Sequence, residues 1–182
     1  MRVRIFCIFL EVDIVIKYSK HTIAKGVFLM RDFEKISFEQ FQKDVCDDRQ
    51  LYDSYKLPVR DSAVTAGYDL VLLNDLEISP NEIVKIPTGV KSYFENDEVL
   101  FLIVRSSTGF KYNIRLVNQV GVIDADYYNN KDNEGHIFVK VQNHGNETVR
   151  FKAGDTIVQG IFIKYLTTKS DNCLGIERKS EY

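Results

Sequence analysis

The segment Val117–Tyr128 reads VNQVGVIDADYY: an apolar run tightens through Gly121 and ends in Asp124 and Asp126, followed by two tyrosines. Strands disfavour aspartate, so two carboxylates one residue apart ask for a role. On a strand, side chains repeat every two residues, which would set Asp124 and Asp126 on one side. One could then act as a general base while the other, or a nearby cation, keeps the surroundings polar. A tight hairpin whose aspartates accept turn amides explains the same letters without chemistry. Three further segments stand out. VRSSTG, Val104–Gly109, follows an apolar run with the donor fork of Arg105 and the hydroxyls of Ser106 and Ser107, which suit a phosphate; a merely solvated strand end would read the same. AGYDL, Ala66–Leu70, has small residues for close backbone packing and an Asp69 that fits either a charged site or a turn. AGDTIVQG, Ala153–Gly160, is a turn leading into a buried strand that carries an isolated Gln159.

A β scaffold must hold these segments. From Leu57 to about Leu166, runs such as VKIPTGV, EVLFLIVR, HIFVKVQN and TIVQGIFIKYL are separated by turns at Ser79–Asn81, Asn143–Asn146 and Ala153–Asp155. Such spacing predicts an all-β sandwich or barrel of antiparallel strands. Upstream, Phe33, Ile36, Phe38, Phe41 and Val45 fall at helical spacing, and Ser37 with Gln40 has the form of a capping box, predicting a helix that ends near Asp47–Asp48.

The 182 residues suggest one domain with short appendages, and 45% apolar content suffices for an ordinary core. A net charge of −2 leaves no basic excess for sequence-independent nucleic-acid binding. Cys7, Cys46 and Cys173 form no CxxC pairing, so neither a disulfide frame nor a zinc site is indicated and a cytoplasmic setting is expected. His21, His136 and His144 are scattered and read as surface or turn residues. The opening MRVRIFCIFL is too short to cross a bilayer, which takes roughly 20 residues, and lacks a cleavage site, so a soluble chain without membrane partners is expected.

Taken together, AGYDL, RSSTG, NQVGVIDADY and GDTIVQ resemble, in order and spacing, the motifs of the trimeric deoxyuridine triphosphate nucleotidohydrolases (dUTPases). That resemblance covers roughly residues 55–166 and implies a jelly-roll β domain, placed at 51–166 after the helical lead-in read at 30–50. It implies hydrolysis of dUTP to dUMP and pyrophosphate with Mg²⁺, which limits uracil in DNA and supplies dUMP for dTMP synthesis. By the match, Asn118 and the amides around Val122 and Ile123 read the uracil edge, and Tyr127 lies against the deoxyribose where a 2′-hydroxyl would not fit. Asp124 matches the residue that activates water, and Asp126 supports the hairpin. Arg105, Ser106 and Ser107 match phosphate binders, Gln159 a phosphate or metal-water contact, and Asp69 a residue shaping the metal side. Mg²⁺ is expected on the triphosphate and water rather than on protein ligands. The family site is shared between three subunits, so a homotrimer is expected.

Three departures go with the resemblance. The family's glycine-rich C-terminal arm is represented here only by Arg178 within CLGIERKSEY, so a slow enzyme or a nucleotide-binding regulatory module is the alternative, with a dCTP deaminase a third reading. Residues 1–29 read as an appendage or sequence upstream of a natural start near Met30, and residues 167–182 as a tail. Thr156 stands where the family often has a cation.

Overall fold

The computed structural model describes residues 31–171; the segment 1–29 and Arg178, together with His21, Cys7 and Cys173, lie outside them. In chain order these residues form β1 (Asp32–Lys35), α1 (Phe38–Asp44), α2 (Arg49–Ser54), β2 (Tyr68–Val71), β3 (Leu76–Ile78), β4 (Ile83–Pro87), β5 (Val90–Tyr93), β6 (Glu98–Val104), α3 (Ser106–Tyr112), β7 (Ile114–Leu116) and β8 (Gly121–Asp124). A 3-10 turn at Ala125–Tyr127 precedes β9 (Phe138–Asn143), β10 (Val149–Phe151) and β11 (Thr156–Lys164). The strands pair antiparallel in the orders β2-β11-β6-β8, β4-β9-β7, β1-β5 and β3-β10, giving the jelly-roll sandwich. All three expected turns fall between strands.

Alternation explains the layering. In β9, Val139, Val141 and Asn143 point inward while Lys140 faces solvent, and Leu100 and Leu102 of β6 meet Val158 of β11 in the core. Asn143 is fully buried because its amide donates to Ile78 O (2.9 Å) and Glu147 O (2.8 Å), which ties the following turn to β3. No helix among the described residues is long and apolar enough to cross a membrane.

The lead-in differs from the expectation. Phe33 lies on β1, not on a helix, because Asp32–Lys35 pairs with β5 and the Phe33 ring packs on Tyr68 and Phe162 at 5.5 and 5.4 Å. Strand pairing overrides a three-and-four spacing that both states can satisfy. Ser37 does cap α1, accepting from Gln40 N at 3.1 Å, but only half of the capping box forms. The Gln40 amide turns to Asp44 Oδ2 (2.8 Å), and Ser37 N donates instead to Glu134 Oε2 (2.9 Å). The helix stops at Asp44, and Asp48 caps a second helix, α2, that seats Tyr52 and Tyr55 on the Phe41 ring.

His136 also departs from its reading as a surface or turn residue: it is fully buried. Gly89 N can only donate, and it reaches His136 Nε2 at 2.9 Å, so the proton sits on Nδ1 and donates to Asp44 Oδ2 at 2.6 Å. Burial holds the imidazole below its ordinary pKa, against the opposing pull of Asp44. Between that lowered value and the unfolded value near 6.5, the unfolded chain binds more protons than the native one. The stabilisation is therefore complete above about pH 6.5 and is lost as pH falls through the native value. Thermal melts from pH 7.5 to 5 should show Tm falling on acidification, with a flatter slope in His136→Gln. Parallel slopes in the two proteins would assign the acid sensitivity elsewhere.

Candidate functional site

The strand order β2-β11-β6 gathers three of the four segments. Asp69 of β2 lies directly across from Gln159 of β11, and Gln159 in turn faces Ile103 of β6. Arg105 follows β6 by one residue, its amide donating to Ile157 O at 3.0 Å. The Arg105 guanidinium is held by the Thr156 hydroxyl, by Asp69 Oδ2 at 3.2 Å and by Asp61 Oδ2 at 3.2 Å. Asp69 is buried, which pushes its carboxyl above the ordinary range while the Arg105 charge pulls it back. The Gln159 side chain crosses the glycine of AGYDL so closely that a Cβ on Gly67 would stand 1.9 Å from its Oε1. That is the close packing the small residues foreshadowed.

RSSTG follows the end of β6, as expected from sequence, and there opens α3, with Arg105 at the N-cap. Arg105 N still bonds to β11 through Ile157 O, and the chain then turns helical as Gly109 N bonds back to Arg105 O at 3.0 Å. Ser106 and Ser107 are exposed on the first turn, whose amides have no intrahelical acceptor, while Thr108 is buried beneath them. Two exposed hydroxyls and the open amides of the first turn thus follow Arg105 directly in the chain. Asp61 and Thr156 as guanidinium partners were missed from sequence; Asp61 lies in an irregular stretch whose letters carry no pattern.

The fourth segment is built separately. After β7, the chain turns through Asn118 and Gln119, the latter at φ 63°, and enters β8. Asn118 and Gly121 line a cavity of about 460 Å³ with Leu102, Leu116, Phe138 and Lys140. Val122 is 56% exposed, Ile123 and Asp124 are half-buried, and Asp126 is exposed. The strand ends at Asp124 and Asp126 belongs to the 3-10 turn, so the two-residue repeat expected to align the two carboxylates stops between them. Tyr127 is buried.

The dUTPase family model matches residues 53–181, well over half of the chain. This chain belongs to the dUTPase family. The deoxyuridine 5′-triphosphate nucleotidohydrolase of Lactococcus lactis subsp. lactis is 44% identical over 115 residues, which cover 63% of this chain and 77% of that protein. The crystal structure of dUTPase from Streptococcus mutans superposes with a TM-score of 0.62 at 42% identity, covering 76% of this chain and 98% of that one. A dUTPase variant from phage phi11 of S. aureus, in which a structural Mg(II) ion is coordinated, shares the fold at 17% identity, with a TM-score of 0.58 over 82% of this chain and 99% of that one.

Within this chain the two segments carrying Asp124 and Arg105 do not meet. On β6, Asp124 pairs with Val99 at one end, whereas Arg105 leaves the other end six residues later. At about 3.3 Å per residue that separation is about 20 Å, too long for one nucleotide α-phosphate to touch both. Among the described residues no group of three or more His, Cys, Asp or Glu converges on a metal-sized space. The Asp69 carboxylate and the Gln159 amide are cross-strand partners whose oxygens suit a hard cation reached through water.

Proposed function

We propose that this chain hydrolyses dUTP to dUMP and pyrophosphate in sites completed by neighbouring copies of itself. The separation of Asp124 from Arg105 carries the reading: a base and a phosphate cradle at opposite ends of one strand become useful when different subunits supply them. Asn118 and the amides of Val122 and Ile123 read the uracil edge, and Tyr127 walls the deoxyribose. Asp124 takes a proton from water as the oxygen attacks the α-phosphorus, while Asp126 supports the turn. Arg105, Ser106, Ser107 and Gln159 hold the triphosphate oxygens, and Asp69 orients the guanidinium. Asp69 and Gln159 would hold Mg²⁺ through water, and the bound ion would supply positive charge against the triphosphate. The assembly proposed is a homotrimer working in the cytoplasm.

Pyrophosphate release from dUTP, dCTP and UTP with Mg²⁺, together with mass by light scattering, tests this. Release from dUTP by a particle of three 21.1 kDa chains is expected. Tight dUTP binding without release would favour a regulatory module, and ammonia from dCTP a deaminase. Full activity in a single-chain particle would refute the shared site.

A further inference from the structure

We infer that Asn133, in the loop after the hairpin, is a positioning residue that sets deoxyribose specificity by locking Tyr127. The inference rests on the reading of Tyr127 as the wall of the sugar site. A wall that rejects an added hydroxyl by shape alone discriminates only about 10²-fold, and even that requires the ring not to yield. A tyrosine at the end of a three-residue 3-10 turn is not rigid by itself, so what fixes it matters.

The fixation is a closed set of hydrogen bonds. Tyr127 Oη donates to His136 O at 3.0 Å and accepts from Asn133 Nδ2 at 2.8 Å; the same Nδ2 donates to His136 O at 3.3 Å. Asn133 is only 5% exposed, so neither partner can exchange freely for water. Its Oδ1 accepts from Gly135 N (3.1 Å) and Asn130 Nδ2 (2.9 Å), and Asn130 Nδ2 also donates to Tyr127 O (2.9 Å). Both the ring oxygen and the main chain of Tyr127 are therefore tied to one loop. Gly135 closes that loop at φ 79°, where a Cβ would stand 2.6 Å from Tyr127 O. His136, the shared acceptor, is itself held through its ring by Gly89 and Asp44. Within the stretch NNKDNEG, which no reading of the catalytic residues uses, Asn130, Asn133 and Gly135 thus buttress Tyr127.

Steady-state kcat/KM for dUTP and UTP in Asn133→Ala, Tyr127→Phe and the double variant tests this. Each single variant should lower the dUTP-to-UTP ratio by about tenfold, a substantial part of what shape alone provides. Tyr127→Phe removes the oxygen that Asn133 grips together with its bond to His136 O, and Asn133→Ala also frees Gly135 N and Asn130, so the loss of ratio in the double variant should fall short of the two single losses combined. If Asn133→Ala does not fold, Tyr127→Phe alone decides: an unchanged ratio overturns the lock. An equal loss on both substrates with a lower Tm would make Asn133 merely structural and overturn it too. A parent protein that turns over neither nucleotide would instead defeat the hydrolase reading, which keeps the two failures distinct.

Discussion

Replacing Asp124 by asparagine should lower kcat for dUTP by about 10²–10⁴, the range that general-base action contributes, with little change in nucleotide affinity. The expectation comes from where Asp124 sits. It ends β8 opposite Val99, half-buried, and its backbone remains extended before the chain tightens into the 3-10 turn. Asparagine has the same shape and keeps that backbone, so Asn118, Tyr127 and the pairing with β6 stay in place. What the amide lacks is a basic oxygen to accept the proton of the attacking water. Single-turnover rates with saturating dUTP, beside the Kd for a non-hydrolysable dUTP analogue, separate chemistry from binding. Asp126→Asn provides the contrast: that carboxylate is exposed in the turn, and its loss should affect the rate far less. An unchanged single-turnover rate in Asp124→Asn would remove Asp124 as the base.

How much of this was legible in the sequence depended on whether a feature was local. The four segments were readable because each carries its chemistry in consecutive letters, and the turns were readable because Asn and Gly satisfy backbone shapes that other residues resist. The half-formed capping box was also local: Ser37 does cap, as its position dictates. What failed depended on distant partners. β1 exists because β5 lies beside it, and nothing in Asp32–Lys35 announces β5. His136 looks like any isolated histidine until α1, 92 residues earlier in the chain, brings Asp44 to its ring. The alignment of Asp124 with Asp126 failed differently, since it assumed a strand running through Asp126, two residues past where β8 ends. The separation of Asp124 from Arg105 is topological: only the pairing of β6 with both β8 and β11 sets the two at opposite ends of one strand.

Arg105→Lys should lower kcat/KM for dUTP by about 10²-fold although the charge is kept. Three protein groups grip the guanidinium at once: Thr156, the buried Asp69 and the exposed Asp61. A planar fork can satisfy these and still aim N–H groups at a phosphate, whereas an ammonium is a point charge on a flexible stem. Each charge-assisted bond lost is worth about 1.5–3 kcal/mol, so losing one or two yields the stated factor. The pH dependence should move as well. Burial already raises the Asp69 carboxyl, and Arg105 is the cation that restrains it. A lysine that fails to reach Asp69 lets its pKa climb further, so the acid limb of kcat/KM should shift to higher pH. The Asp61 pair is solvent-exposed and worth about 1 kcal/mol at most, so Asp61→Asn should leave both rate and acid limb close to the parent. An Arg105→Lys protein with the parent's kcat/KM and acid limb would show that neither the fork nor its hold on Asp69 matters to the reaction.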